Sequence, residues 1–177
     1  MELWIGALSY TKEVKAWLAA SGHYLHNPPP GCLLAIGVRE QRPDLLPEVA
    51  VACGPLLGLC LLGRPVARKL AQDGSVAEVT RFVLAPGLAH GTASVVLRRA
   101  AELAWPRGIE RIIAYHDRSR HSGCIYKKAG FVKAGVVKPG TQSWGSRPGR
   151  SSSAIAAART GKRRWLLLRP EQPGVPA

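Results

Sequence analysis

A mixed α/β fold of the α+β type is predicted by three features of this sequence: short apolar runs, amphipathic segments between them, and glycine or proline at the boundaries. Its 177 residues are 46% hydrophobic and 6% aromatic, which suits one domain with a sizeable core. The longest apolar runs fall far short of the roughly 20 residues that cross a bilayer. The N-terminus lacks the basic flank of a signal peptide. We therefore expect a soluble cytoplasmic protein without a membrane partner.

The N-terminal half is predicted to form one helix and then three strands. Val14, Trp17 and Leu18 recur at spacings of three and four, which predicts an amphipathic helix over residues 10–21. The loop at 23–31 contains three successive prolines, which exclude a helix and stiffen the backbone. Strands are predicted at 32–39, 56–62 and 76–84, with an insertion at 41–54.

The C-terminal half alternates helices and strands. The pattern predicts a helix at 92–105, a buried strand at 109–116, a short helix at 122–129 and a strand at 131–137. Beyond residue 138 the sequence becomes basic and rich in Gly, Ser and Pro. We therefore divide the chain into a core at 1–138 and a C-terminal extension at 139–177, in which residues 163–168 are a candidate final strand.

Positive charge is concentrated in the second half of the chain. The net charge is +14, but residues 1–90 hold 8 basic and 7 acidic residues, whereas residues 91–177 hold 17 basic and 4 acidic ones. Such one-sided charge attracts polyanions, among them nucleic acids, through counterion release. The alternatives are a solubilising surface or a role in binding an anionic cofactor.

The cysteines give no sign of a metal site. Cys32, Cys53, Cys60 and Cys124 are widely separated, and no Cys/His spacing matches a tetrahedral zinc site. We expect small buried thiols and no metal.

The loop at 84–94 connects a predicted strand to the start of a predicted helix. Free backbone N–H groups at such a turn, together with the helix dipole, favour an anion. The residues concerned are Gly91, Thr92, Ala93 and Ser94. The alternative is a turn in which Thr or Ser caps the helix.

Several ionisable residues are candidates for proton transfer. Glu78 is a candidate base or substrate anchor, although strict strand alternation would put it on the face opposite to Arg81. The alternative is a salt-bridged pair of the two residues that holds the sheet. His23 and His26 are alternative bases, because imidazole titrates near neutrality and the prolines stiffen their loop. Asp117 ends a strand, where it could reach a site or simply form a turn. A metal held by His23, His26 and Asp117 is conceivable, although no spacing enforces it.

The C-terminal extension combines basic residues with an aromatic ring. Arg147, Arg150, Arg163 and Arg164, with Trp144 among them, suit an arm that follows a phosphate backbone and stacks one ring on a base. A base amine inside a duplex is hard to reach, so an enzyme acting on it would flip the nucleotide or take it single-stranded. The alternative is a basic tail without a partner.

Residues 122–131, Ser-Gly-Cys-Ile-Tyr-Lys-Lys-Ala-Gly-Phe, combine a small-residue turn, a short helix with Tyr126 and a Gly-Phe stop. Together with the loop at 88–93, this segment resembles the GNAT N-acetyltransferases. The resemblance implies a mostly antiparallel sheet that is splayed at its middle strands, with a bulge that turns Glu78 and Arg81 into one cleft. Leu88 departs from the family pattern, which has Gln or Arg at this position.

The same resemblance implies a cofactor and an acid. The cofactor is acetyl-coenzyme A or a related acyl-coenzyme A thioester, and Tyr126 protonates the departing thiolate. The residues implied at the cofactor are Val83, Gly91, Thr92, Ala93 and Ser94.

Further stretches are similar to a phage and prophage subgroup related in pattern to the Mom DNA-modification proteins. They are residues 23–31, 63–68, 78–81, 115–117, 121–126 and 143–144, and the likeness covers about residues 20–150. It implies modification of an exocyclic amine on a nucleic-acid base, in phage DNA. The residues implied at the substrate are Arg64, Arg68, Arg81, Trp144, Arg147 and Arg150.

Two other functions remain as alternatives. One is an N-acetyltransferase that acts on a protein, a small amine or aminoacyl-tRNA. The other is a nucleic-acid-binding module that keeps the fold without the chemistry. The transferred group, the base and the oligomeric state, with a homodimer as one option, are left open by the sequence.

Overall fold

The computed structural model describes residues 2–23, 29, 31–41, 54–67, 69–137 and 161–171. Within these residues the chain forms a seven-stranded sheet and three α-helices. In chain order they are β1 Leu3–Leu8, α1 Lys12–Ala20, β2 Cys32–Glu40, β3 Leu56–Gly63, β4 Val76–Leu84, α2 Thr92–Ala104, β5 Arg111–Asp117, α3 Cys124–Lys128, β6 Val132–Val137 and β7 Lys162–Leu168. A short 3₁₀ turn, Trp105–Arg107, follows α2.

The sheet is mixed and mostly antiparallel, as predicted. Its strand order is β1-β2-β3-β4-β5-β7-β6, and only β4 and β5 run parallel to each other. β1 was not predicted from the sequence; it pairs with β2 from Leu3↔Glu40 to Leu8↔Ala35. β7 lies between β5 and β6, so it completes the sheet.

The sheet is splayed between β4 and β5. These strands pair only at Val76↔Arg111, Ala77↔Ile112 and Glu78↔Ile113, although β4 continues to Leu84 and β5 to Asp117. Beyond Glu78 the two strands part, which opens a gap in the middle of the molecule. The splay implied by the resemblance is therefore present.

Both faces of the sheet are covered by helices. The larger apolar cluster includes Ile36, Cys60 and Ile112 of the sheet with Val96 and Leu97 of α2. The second cluster joins Val14 and Leu18 of α1 to Ala35, Leu59 and Leu61. Successive residues of β2 and β3 belong to opposite clusters, as the strand period of two requires. Burial of apolar area on both faces stabilises the sheet.

Side-chain and backbone capping define the helices. At α1, the Thr11 hydroxyl accepts a hydrogen bond from the Val14 N–H at 3.4 Å. At the end of α3, the Phe131 N–H donates to the Tyr126 carbonyl and the Gly130 N–H to that of Lys127, with Gly130 at φ +93°. This is a Schellman motif, and the Phe131 ring packs against Tyr126 as its apolar contact. The Gly-Phe stop seen in the sequence therefore ends α3.

The cysteines match the prediction only in part. Cys60 is fully buried, and burial raises the pKa of its thiol to about 12. Cys32 is half-buried and Cys124 is exposed, because α3 turns that side of its first turn to solvent. Cys53 lies outside the described residues. None of the described helices is long and apolar enough to cross a membrane.

Candidate active site

A cleft of about 150 Å³ occupies the gap between β4 and β5. Residues from both strands, α3 and two loops line it; they include His23, Glu78, Arg81, Tyr115, His116 and Tyr126. Of the predicted catalytic residues, the structure thus brings Glu78, His23 and Tyr126 to one place. Asp117 does not line this cleft, and His26 lies outside the described residues.

A β-bulge at Thr80 explains why Glu78 and Arg81 share the cleft. In the pairing with β3, Val79 lies opposite Leu62 and Arg81 opposite Leu61, so Thr80 is the extra residue. The parity of the strand changes there. Val79 and Phe82 both pack into the larger core cluster, which leaves Glu78 and Arg81 on the other face. Strict alternation, which would have separated them, does not hold at this point.

Glu78 is a buried carboxylate that is hydrogen-bonded to the backbone. It is 8% exposed, and its Oε2 accepts a hydrogen bond from the Val66 N–H at 2.9 Å. Burial raises the pKa of Glu78, while the Val66 hydrogen bond and the charges of Lys162 and Arg81 oppose that rise. A carboxylate that takes up a proton more readily than an ordinary glutamate suits a general base.

Tyr115 and Arg164 form a cross-strand pair on the same face as Glu78. The sequence predicted Arg164, with Arg163, in an arm that follows a phosphate backbone, whereas both residues belong to β7. No separate role was predicted for Tyr115. Tyr115 lies directly opposite Arg164 in the β5–β7 ladder. Burial, and then the nearby charge of Glu78, raise the pKa of Tyr115, whereas Arg164 opposes this by its charge and a hydrogen bond. The Arg164 guanidinium also donates two hydrogen bonds to the Ala134 carbonyl, at 2.9 and 3.3 Å. This side of the cleft is therefore polar and positively charged around one carboxylate.

The opposite side of the cleft is aromatic. Tyr126 is 7% exposed, and its ring lies 5.7 Å from Trp165, 5.7 Å from Phe131 and 6.0 Å from His116. The Trp165 Nε1–H donates to His116 Nδ1 at 2.6 Å. Tyr126 is thus both a member of the core cluster and a cleft residue. His116 and Trp165 were not predicted as site residues, because their contact depends on β5 and β7 being neighbours.

The loop at 84–94 borders a second depression of about 360 Å³, which Cys124, Ile125 and Lys128 of α3 also line. Gly91 adopts φ +97° and begins α2. The Thr92 hydroxyl donates to the Ala89 carbonyl at 2.7 Å, and the Ser94 hydroxyl to the Gly91 carbonyl at 3.1 Å. The predicted Thr or Ser cap is not present, because the N-cap residue is Gly91 and both hydroxyls donate to carbonyls rather than accept from a backbone N–H. Their lone pairs remain able to accept.

Basic side chains adjoin the same helix start. Arg98 and Lys128, with His90, line a depression that also includes Gly91, Thr92 and Ser94. Sequence reasoning noted that Leu88 lacks the expected Gln or Arg but did not find these two cations. They come from α2 and α3, which lie side by side only in the folded chain.

The resemblance implies that Val83 lies at the cofactor. Its side chain packs against the second apolar cluster, the one that contains Val14 and Leu18. The Ala85 N–H donates to the Leu57 carbonyl, so residues 81, 83 and 85 direct their backbone groups toward β3. By alternation, the backbone groups of Phe82 and Leu84 are directed toward the gap.

The remaining predicted residues are spread over other places. Asp117 is buried, and its carboxylate accepts hydrogen bonds from the N–H and hydroxyl of Ser119, at 2.9 and 2.6 Å, which is a turn-forming arrangement. Arg64 is exposed in the turn after β3 and does not line the cleft. Arg68, Trp144, Arg147 and Arg150 lie outside the described residues. In the part of the chain that the structure describes, no group of three His, Cys, Asp or Glu side chains could hold a metal ion.

The chain resembles known proteins in structure but not in sequence. No family model matches the chain, and no curated protein matches it. Among solved structures, the ribosomal-protein-S18-alanine N-acetyltransferase of Escherichia coli matches with a TM-score of 0.59 and 11% identity over 99% of this chain and 100% of its own. Spermidine/spermine N-acetyltransferase SpeG of Vibrio cholerae matches with a TM-score of 0.61 and 15% identity, over 94% and 92% of the two chains.

A Bacillus subtilis acetyltransferase solved in complex with CoA matches with a TM-score of 0.57 and 15% identity, over 96% of this chain and 100% of its own. Identities of this size show the fold alone. The chain therefore has the fold of the GNAT acetyltransferases.

Proposed function

We propose that this protein is an acyl-coenzyme A-dependent N-acyltransferase whose active site is the cleft between β4 and β5. The observation that carries the proposal is the early end of the β4–β5 pairing at Glu78, which leaves a gap lined by a buried carboxylate on one side and Tyr126 on the other. An amine and a thioester meeting in this gap would lie between a base and an acid.

The residues around the gap fit the cofactor chemically. The backbone groups of Phe82 and Leu84 can hydrogen-bond an extended amide-containing arm that lies along β4. The start of α2 at Gly91, with Arg98 and Lys128, offers amide dipoles and positive charge to phosphates. Lys128 and Arg98 would thereby replace the side chain that is missing at Leu88. One of the similar solved structures was determined in complex with CoA.

The proposed chemistry is direct transfer to an amine. When bound, acetyl-coenzyme A or a related thioester supplies the acyl group. Glu78 removes the proton from the attacking nitrogen, and Tyr126 donates a proton to the sulfur that leaves. His23, which also lines the cleft, is the alternative base. Arg81 and Lys162 line the cleft as well, where an anionic acceptor would be attracted.

For the acceptor we propose an exocyclic amine of a nucleic-acid base, in DNA that the protein meets in the cytoplasm. The support is the excess of 13 positive charges in residues 91–177 and the cations Arg81 and Lys162 that line the cleft. An acceptor of another kind is the second candidate, because similar structures are named as acting on a protein alanine or on spermidine. A nucleic-acid-binding module without chemistry is the third.

These candidates give different experimental results. Nucleoside mass spectrometry of DNA from cells that express the protein should show a mass-shifted base. Unmodified DNA together with turnover of acetyl-coenzyme A on amines or proteins would select the second candidate. Titration calorimetry that detects no binding of acetyl-coenzyme A would contradict both enzymatic functions.

The cofactor site has its own matched pair of variants. We expect Lys128→Ala to weaken acetyl-coenzyme A binding by about tenfold or more, because a charge-assisted contact is lost. Lys127→Ala is the control, since Lys127 is an exposed residue of the same helix that lines neither depression. Equal affinities for the two variants in calorimetry would remove Lys128 from the site.

A further inference from the structure

We propose that His116 is a catalytic hydrogen-bond donor: its Nε2–H points into the cleft and stabilises the negative charge that develops on the thioester carbonyl oxygen. This inference rests on the proposed acyl transfer in the β4–β5 cleft. It adds the group that polarises the carbonyl, a role that neither Glu78 nor Tyr126 fills.

The hydrogen bond from Trp165 assigns the tautomer of His116. The indole Nε1–H lies 2.6 Å from His116 Nδ1, and the two residues are 2% and 4% exposed. An indole can only donate, so Nδ1 must carry a lone pair. The proton of the neutral imidazole is therefore on Nε2.

The packing around the ring determines which edge faces the cleft. A Cβ atom added to Gly123 would lie 2.6 Å from His116 Cε1 and 3.0 Å from Nδ1, so the Nδ1–Cε1 edge is pressed against that glycine. Gly123 has φ +77°, which suits glycine, and the missing side chain makes room for the imidazole. Because His116 also lines the cleft, its Nε2–Cδ2 edge is the one left to face it.

The surroundings of His116 keep the ring uncharged. Burial lowers its pKa, and the electrostatic effects of Arg163 on β7 and of His121 and Arg118 on the following loop lower it further. Asp117 acts in the opposite direction. Protonation at Nδ1 would also break the Trp165 hydrogen bond. A neutral imidazole held in place in this way can polarise a carbonyl without giving up its proton.

The reaction step then balances in atoms and electrons. The amine nitrogen forms a bond to the carbonyl carbon and loses its proton to the Glu78 carboxylate. The carbonyl electron pair moves to oxygen, where the His116 Nε2–H donates a hydrogen bond. When the pair returns, the carbon–sulfur bond breaks and the thiolate takes the Tyr126 proton.

Two substitutions distinguish the roles of the two ring nitrogens of His116. In His116→Asn the side-chain oxygen can replace Nδ1 as acceptor for Trp165, but nothing replaces Nε2–H. In His116→Gln the amide nitrogen can replace the Nε2 donor. We expect turnover to fall about 10²–10³-fold in the Asn variant and clearly less in the Gln variant, with acetyl-coenzyme A affinity kept within about threefold in both. Equal losses in the two variants, or no loss in either, would overturn the proposal.

A measurement on the wild-type protein does not depend on variants folding. Imidazole ¹⁵N shifts at neutral pH should report His116 as the neutral Nε2–H tautomer. A proton on Nδ1, or a charged ring, would overturn the assignment.

Trp165→Phe provides a third arm, with Trp105→Phe as its control because Trp105 packs on the core away from the cleft. Loss of the indole donor leaves Nδ1 able to take up a proton, so a further pH-dependent step should enter the turnover profile in the Trp165 variant only; identical profiles would count against the proposal. If wild-type protein neither binds acetyl-coenzyme A nor turns it over, the proposed function itself fails, and that result is distinct from active protein with an inert His116.

Discussion

Glu78 is the residue at which stability and the proposed function oppose each other. Its carboxylate is buried, and burial raises its pKa above the ordinary value of 4.5. Below that ordinary value both folded and unfolded chains hold the proton. As pH rises above it, the unfolded chain releases the proton first, so the free energy of unfolding falls until the folded-state pKa is passed. At neutral pH the ionised carboxylate therefore reduces stability.

We expect Glu78→Gln to lower turnover by at least about 10²-fold, the usual contribution of a general base. The same variant should melt at a higher temperature than wild type at pH 7, because Gln can keep the Val66 hydrogen bond without a buried charge. The gain should disappear near pH 4. Thermal melts and steady-state kinetics measure both effects, with Glu110→Gln, an exposed residue, as the control. A Gln variant with unchanged turnover would exclude Glu78 as the base.

The raised pKa of Glu78 also predicts the pH dependence of turnover. The base acts only when it is ionised, so kcat/KM should increase with pH through the folded-state pKa of Glu78 and then level off. That midpoint should lie above the ordinary glutamate value, because burial raises it. A pH profile of the wild-type protein measures it. A pH-dependent step that persists in Glu78→Gln but is lost in His23→Gln would transfer the role of base to His23.

At the scale of elements, two local irregularities place the candidate catalytic groups. The bulge at Thr80 changes the parity of β4 and brings Glu78 and Arg81 to one face. The Thr80 hydroxyl donates to the Leu61 carbonyl at 3.1 Å, which holds the extra residue against β3. The turn before α3 places Gly123 against His116 and Trp165. Both irregularities lie beside the gap where β4 and β5 part.

The two glycines that flank α3 offer a matched test of that turn. Gly123 and Gly130 both have positive φ, so an alanine at either position should cost about 1 kcal/mol through backbone strain. Only at Gly123 would the new Cβ collide with His116 and Trp165; at Gly130 its nearest neighbour is Leu167 at 3.7 Å. We expect turnover to fall at least tenfold in Gly123→Ala and to stay near wild type in Gly130→Ala. If the two variants have equal kinetics and lose equal stability, the turn at Gly123 has no role in positioning His116.

At the scale of the whole molecule, the last described strand completes the sheet. β7 pairs with β5 along its whole length and with β6 on its other edge, and Trp165 is 2% exposed in the core. The division into a core at 1–138 and an extension at 139–177 remains a prediction, and β7 makes it testable. Without β7, two strands would each lose a partner and the aromatic side of the cleft would lose Trp165.

We therefore expect a chain truncated after residue 138 to lose cooperative folding. The reason is that removal of β7 exposes two strand edges and deletes a large buried side chain. Near-UV circular dichroism and thermal melting measure the effect, with a chain ending at Glu171 as the control. A native-like melt of residues 1–138 would establish that they fold as an independent core.

Elements with strong local signals were predicted from the sequence, and others were not. The helix predicted at 92–105 is α2, Thr92–Ala104, and the strand predicted at 76–84 is β4, because each has a strong apolar period and a glycine or proline at its end. β1 was missed, since its half-buried residues owe their burial to β2 and α2 rather than to a pattern of their own. The Gly-Phe stop of α3 was recognisable, because a Schellman motif is local in sequence.

By itself, the sequence determined the elements whose signals are local: the helices, most strands, the glycine turns, and the type of residue available for proton transfer. Only the tertiary structure decided which of those residues meet. The contact between His116 and Trp165 joins positions 49 residues apart, and the approach of Lys128 and Arg98 to Gly91 joins two helices. The physical reason is that strand order and helix packing minimise the free energy of the whole chain, so no short window of residues encodes these contacts.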